Sequence, residues 1–447
     1  MKEQAILILG AGRSSTALIH YLLKHAAPNR WTVTVGDFSM AAAVDRVNGH
    51  TSGRAIAFDI TQKEASRAEI AKADVVVSLL PAHLHVQVAV LCLSEKKHLL
   101  TASYVSDEMK SLDAEAKQNG LLFLNECGLD PGIDHMSAMQ VIDRIKQEGG
   151  KLISFESFTG GLIAPTTDID NPWRYKFTWN PRNVVMAGQG TAKFLQGGRW
   201  KYIPYQQLFK RTTSVSVPGY GEYEGYANRD SLKYLNTYGL QGIQTMLRGT
   251  LRNKGYCSAW NVLVQLGCCD DTYVLENIGK LTHRDFITLF LEESTQPAEE
   301  LVCQLFGLDA KGEEMKRLMW SGFFADEKIG LDQGTPAQVV EHILQKRWKL
   351  QRGDQDFIVM WHRFGFETHG RGKREIQAYL TCTGQDENNT AMAQTVGLPL
   401  AIATKLLLQG KIKSRGVVIP VIPEFYNPIL EELGQLQIKL HEVEKAG

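Results

Sequence analysis

Ala5-Ile6-Leu7-Ile8-Leu9-Gly10-Ala11-Gly12-Arg13-Ser14-Ser15 is the stretch on which the fold turns. Five apolar residues in a row suit a strand covered on both faces, and the glycines after it let the backbone turn sharply into a helix marked by Leu18, Tyr21 and Leu22. In that context Gly10, Gly12, Arg13, Ser14 and Ser15 form a candidate pyrophosphate cradle at a helix N-terminus. Ser15 stands where the dinucleotide fingerprint has Gly or Ala, so the close packing of helix on sheet is less well supplied. A second strand ends at Val35-Gly36-Asp37, and Asp37 lies 25 residues after Gly12, near the spacing of roughly 20 expected for an acid on the adenosine ribose. A carboxylate there accepts from both ribose hydroxyls and repels a 2′-phosphate, so NAD is the expected cofactor, with NADP left open by Ser39.

Working outward, short apolar runs alternate with helix-like segments through the first third of the chain: Trp31 to Val35, Ala55 to Phe58, Asp74 to Leu80, Leu99 to Ala102 and Leu121 to Leu124. Such alternation belongs to stacked βα units, so an α/β fold with a Rossmann-like, doubly wound parallel sheet is expected. Past Gly149-Gly150 the strands become longer and richer in polar and aromatic residues, as in Leu152 to Thr159, Phe357 to Phe364 and Glu375 to Cys382, and a second domain begins there. Residues 234–347 read as a helical insertion. Met392 to Leu408 reads as one helix, stopped by Gly410 and followed by a strand at Val417 to Val421.

At 447 residues the chain exceeds one compact core, so two or three domains are expected. Lys plus Arg and Asp plus Glu are 49 each, a zero net charge that advertises no nucleic-acid partner. Apolar stretches such as Ala5 to Leu9 and Val75 to Pro81 fall short of the roughly 18 residues that span a bilayer, so no membrane segment is expected. The apolar start leads into the glycine turn without a cleavage pattern, which speaks against a signal peptide. Seven cysteines with no CxxC pair suit a reducing, cytoplasmic setting.

Leu80-Pro81 ends the fourth strand and Ala102-Ser103-Tyr104 the fifth, at the carboxyl edge where open α/β sheets bind ligands. Tyr104 is placed to donate a hydrogen bond to a substrate or to assist proton transfer. His83 and His85 lie two apart with no third ligand nearby, which favours a surface or crevice role and no metal. After the sixth strand comes Asn125-Glu126-Cys127-Gly128-Leu129-Asp130-Pro131-Gly132-Ile133-Asp134-His135, which brings acids and a histidine to the same edge. Asp130 supporting a turn and Asp134 capping the next helix is the plainer reading of that phrase.

At this phrase the chain resembles the glutamate-forming saccharopine dehydrogenases, also called saccharopine reductases. The resemblance is carried by Gly128 to His135, Ser157 to Leu162, Asn171 to Pro181, Asn228-Arg229-Asp230-Ser231, Thr250-Leu251-Arg252 and Thr395 to Pro399, and is weakest from Leu281 to Gln351. It implies a Rossmann dinucleotide-binding domain over residues 1–134, rejoined by 390–447, and a mixed α/β substrate domain over 135–389 that holds the helical insertion. The implied reaction is oxidation of the secondary amine saccharopine by a nicotinamide cofactor, giving glutamate and 2-aminoadipate 6-semialdehyde, reversibly, in lysine metabolism. Carried over position by position, Ser103, Tyr104, Asp130, Arg229, Thr250, Leu251 and Arg252 resemble the residues that hold the substrate. Ser14, Asp37, Leu80 and Ala102 similarly resemble cofactor contacts, beside Gly10, Gly12, Arg13, Ser15, Pro81, Ser103 and Asp130 at the same edge. Asp130 and Tyr104 are the candidates for moving protons, and the family implies a homodimer.

Saccharopine carries three carboxylates, and guanidinium forks at Arg229 and Arg252 suit two of them. A relative acting on carboxylated polyamines, of the carboxynorspermidine or carboxyspermidine dehydrogenase kind, would need more acids and fewer such forks. The reading from another class is a non-catalytic NAD(P)-binding sensor, against which Ser103, Tyr104, Asp130, Arg229 and Arg252 speak. Trp173, Tyr175, Phe177 and Trp179 alternate at period two and read as core, and Lys176 between them stays unassigned.

Overall fold

A computed structural model describes residues 3–370 and 372–446. The chain divides into two compact units, residues 1–150 with 380–441 and residues 151–379 with 442–447.

The first unit is built on a seven-stranded sheet. Its strands β1 (Gln4–Leu9), β2 (Trp31–Asp37), β3 (Gly53–Ala57), β4 (Val75–Ser78), β5 (His98–Thr101) and β6 (Leu122–Leu124) all pair in parallel. They lie in the order β3-β2-β1-β4-β5-β6, and Gly416–Val418 adds a seventh parallel strand beside β6. The chain order therefore reverses between β1 and β4, which opens a crevice at the carboxyl ends of the strands. The sequence places these strands to within about two residues because a parallel sheet covered on both faces needs unbroken apolar runs. Ile6 to Leu9, Val75 to Val77, Leu99 and Leu100 are all buried.

Helix Ala391–Leu408 is long and apolar enough by composition to cross a membrane, and 72% of it is buried inside the protein. It packs on the helix that follows the glycine turn, and a Cβ at Gly397 would stand 2.9 Å from the Leu18 nitrogen. The close approach that Ser15 does not supply is thus made from the far end of the chain. The seventh strand of this sheet is only Gly416–Val418, because Pro420 has no N–H to continue a ladder.

The second unit holds a nine-stranded mixed sheet that includes Gly150–Ile163, Gly221–Ala227, Thr245–Asn253 and Asp356–Thr368. Within residues 234–347 the strand Thr245–Asn253 comes first, and helices follow from Tyr256–Leu266 to Pro336–Trp348. Trp173, Tyr175 and Phe177 are buried against Tyr256, Trp260 and Trp348, as core aromatics at a period of two should be. Lys176, between them, reaches Asp354 at 2.7 Å and Asp168 at 2.9 Å, an enclosed clasp that keeps its ammonium charged against the cost of burial.

Candidate active site

The turn after β1 is fixed by its own backbone. Gly10 has φ +106°, and a Cβ there would press on the Leu79 carbonyl at 3.1 Å, so only glycine fits. Gly12 is different. Its φ of −71° suits any residue and nothing lies within 4 Å of the Cβ it lacks, so the fold itself does not require a glycine there. A pyrophosphate lying against that backbone does require one, which is the fit expected of a dinucleotide cradle. Ser15 is buried and turns its hydroxyl back to the Gly12 carbonyl at 2.7 Å, so it braces the turn from within. Arg13 is exposed and Ser14 half-buried.

Asp37 closes the same turn. One carboxylate oxygen accepts the Ala11 N–H at 2.7 Å and the other the Ser39 N–H at 2.8 Å, which fixes the acid at the tip of β2. Each oxygen keeps lone pairs for further donors. Phe38, next along, is 84% exposed, an aromatic face beside that position that the sequence reading passed over.

At the neighbouring strand ends, Leu80 and Pro81 follow β4, and Ala102, Ser103 and Tyr104 follow β5. The phrase after β6 is enclosed almost throughout: between Leu121 and Met139, Asp130 alone is not buried. Two glycines make the tight loop that lifts it out, since a Cβ on Gly132 would lie 2.1 Å from the Gly128 carbonyl. Glu126 and His135, in the same phrase, turn inward: Glu126 accepts the Val105 N–H at 3.0 Å and meets His135 Nε2 at 2.8 Å. Asp134 is not the cap read from sequence: Gly132 is the N-cap, no side chain among the described residues caps the helix, and Asp134 lies in its first turn, where it accepts the Gly132 N–H at 2.6 Å. Asp130 is left to the crevice edge, where its Oδ1 accepts the Tyr104 hydroxyl at 3.2 Å.

The second unit carries the two arginines, in unlike settings. Arg229 is exposed on a loop and holds φ at +49°, a backbone state that a long side chain rarely adopts. Arg252 is only 4% exposed; its guanidinium carbon lies 4.9 Å from the Tyr175 ring, 5.2 Å from Tyr256 and 5.9 Å from Tyr226. Its Nη1 donates to the Leu251 carbonyl at 2.9 Å and its Nε has no partner among the described residues. Among the described residues no carboxylate pairs with it. Burial works against the charge, but the surrounding tyrosine oxygens outweigh it and the group stays cationic. Arg252 sits opposite Glu224 in the ladder and Gly249 opposite Ala227, so Arg229 lies about five positions away, roughly 15 Å along the strands. Leu251 is buried between Thr250 and Arg252, facing the other way.

The parallel sheet, the cradle at Gly12 and the acid at the tip of β2 define a Rossmann-type dinucleotide-binding protein. The comparisons narrow this class. A family profile described as "Saccharopine dehydrogenase C-terminal domain" matches residues 128–438, and one described as "Saccharopine dehydrogenase NADP binding domain" matches 6–124. The saccharopine dehydrogenase [NADP(+), L-glutamate-forming] of Schizosaccharomyces pombe is 30% identical over 98% of each chain. The bovine mitochondrial alpha-aminoadipic semialdehyde synthase is 33% identical over 96% of this chain, which spans 47% of that longer protein. The solved L-Glu-forming saccharopine dehydrogenase of Saccharomyces cerevisiae superposes with a TM-score of 0.88 at 31% identity, over 99% of this chain and 100% of that one. The chain belongs to the saccharopine dehydrogenase family.

Proposed function

We propose that this chain oxidises saccharopine with a nicotinamide nucleotide, and that water then releases glutamate and 2-aminoadipate 6-semialdehyde, the reverse condensation being open to the same site. The observation that carries the reading is Asp130, the one residue of its enclosed phrase that reaches the crevice edge, bonded to Tyr104 at the same edge as the nucleotide cradle. The full-length relatives named for this reaction support it.

The bound nucleotide supplies the hydride acceptor. Asp130 and Tyr104 handle protons: the secondary amine gives up its N–H proton as the imine forms, water loses one as it adds to the imine carbon, and the departing glutamate nitrogen gains one. A carboxylate paired with a phenol holds or releases a proton at each point. Ser103, Arg229 and the segment Thr250-Leu251-Arg252 bind the substrate in this reading. An exposed guanidinium and an enclosed one, set well apart along the ladder, suit two of the three carboxylates, at opposite ends of an extended substrate.

NAD is the nucleotide that the fixed carboxylate of Asp37 favours. NADP is the second reading, favoured by the names of the fungal relatives. The test is to incubate purified protein and saccharopine with each nucleotide separately and measure reduced nucleotide and glutamate together. Equal amounts of both products, with NAD ahead of NADP, are expected. NADP ahead of NAD would keep the reaction and reverse the cofactor assignment. A folded, nucleotide-binding protein that oxidises a carboxylated polyamine and leaves saccharopine untouched would overturn the reading.

A further inference from the structure

His85 lies at the start of helix His85–Ser94, just past the end of β4, and enters none of the roles assigned above. It is buried, unlike His83 two residues earlier, which is exposed. Its ring stands between two serines: Nδ1 is 3.0 Å from Ser78 Oγ, and Nε2 is 2.7 Å from Ser103 Oγ. Thr101 Oγ1, which already accepts the Ser103 N–H, lies farther from Nε2 at 3.3 Å. Ser78 and Thr101 close β4 and β5, so the ring bridges the ends of neighbouring strands to the half-buried Ser103.

The direction of the chain of hydrogen bonds follows from what each hydroxyl can reach. Ser78 is fully enclosed and, among the described residues, its side chain has no other partner, so its proton goes to Nδ1. A neutral imidazole that accepts at Nδ1 carries its proton on Nε2 and donates it to its nearest oxygen, Ser103 Oγ. Ser103 then has its oxygen engaged from behind and its own O–H directed away from the ring. Run the other way, the ring would strand the Ser78 proton inside the sheet.

We propose that His85 is a positioning residue that makes the Ser103 hydroxyl a fixed donor to an acceptor oxygen of the ligand, either a substrate carboxylate or the carboxamide oxygen of the nicotinamide. The inference rests on the assignment of Ser103 to ligand binding. Burial, and secondarily the charge of His83, hold the imidazole down to about 4, so the ring stays neutral and the donor direction holds throughout an assay between pH 6 and 9.

The test is a double-variant cycle of His85→Phe and Ser103→Ala, with KM for saccharopine and KM for nucleotide measured separately over that pH range. Loss of one directed hydrogen bond should raise one of the two KM values about five- to tenfold in each single variant, by the same factor at every pH. A rise for saccharopine marks the carboxylate as acceptor, and a rise for the nucleotide marks the carboxamide. The double variant should be no worse than Ser103→Ala alone, because His85 acts only through that hydroxyl. His85→Gln, whose amide N–H reaches toward the position of Nε2, should restore most of the affinity and guards against a folding defect. Additive losses, a factor that changes with pH, or single variants that bind both ligands normally would overturn the proposal. If the wild type does not oxidise saccharopine, the proposed function fails on its own account; the same cycle read by NADH titration then decides for His85, with a non-additive loss upholding it and an additive or absent one overturning it.

Discussion

The parallel-sheet unit presents its candidate residues from backbone turns, whereas the second unit presents them from long side chains. Gly12, Asp37, Ser103 and Asp130 each stand within a few residues of a strand end, and main-chain hydrogen bonds fix Asp37 and the loop around Asp130. Arg252 instead extends its side chain from within the strand Thr245–Asn253, one residue before its end, into a ring of tyrosines, and Arg229 reaches from an exposed loop. Chemistry held by turns is readable from spacing, because a turn needs particular residues at particular offsets. Chemistry held by long side chains depends on packing that spacing does not encode.

If that division is right, changes in the first unit act on the chemical step and the nucleotide, and changes in the second act on the substrate. The largest effect is expected at Asp130: Asp130→Asn should lower kcat by about two to four orders of magnitude while the protein still binds NADH. Next, Arg229→Ala should weaken saccharopine about thirtyfold through KM, near the lower limit for a lost charge pair because the arginine is exposed, and leave nucleotide affinity alone. Arg252→Met sharpens the contrast within the second unit. A buried cation without a carboxylate partner does not contribute net stability, so this variant should melt no earlier than the wild type while its KM for saccharopine rises. A collapse of the second unit would instead make Arg252 a core residue held by its tyrosines.

Asp37→Ala should move the NAD to NADP preference about tenfold toward NADP, the size of a lost charge-assisted contact, with saccharopine KM unchanged. The smallest effect concerns stability. The Leu122 N–H donates to His98 Nδ1 at 3.0 Å, and burial first, then the charge of Arg415, hold this histidine down to about 4 against the weaker opposing pull of Asp74. Below its ordinary range near 6.5 the unfolded chain takes up a proton that the folded one refuses. Stability is therefore full above pH 6.5 and declines as pH falls toward 4, by about 1 to 2 kcal/mol per histidine at pH 5. His98→Asn should flatten that decline in denaturant titrations at pH 7 and pH 5; an unchanged slope would remove His98 from the account.

The six leading strands were legible because Ile6 to Leu9 or Val75 to Val77 can be buried on both faces only within a parallel sheet. The strands Ala192–Gln196 and Arg199–Ile203 were passed over, although Gly197 and Gly198, both at positive φ, mark the tight turn between them. Thr245–Asn253 was taken into a helical stretch because its apolar residues do not alternate strictly. Asp130 was legible as an acid in a turn, but that its neighbours Glu126, Asp134 and His135 face inward was not. His85 was legible only as a surface or crevice histidine beside His83, and its burial between two strand ends is what gives it a sharper meaning.

The most direct test of the division of labour is to measure KM for saccharopine and for both nucleotides in the wild type, Asp37→Ala and Arg229→Ala under one set of conditions. The account predicts that the aspartate variant shifts only the nucleotide constants and the arginine variant only the saccharopine constant. A nucleotide defect in Arg229→Ala with normal saccharopine binding, or the converse in Asp37→Ala, would contradict it.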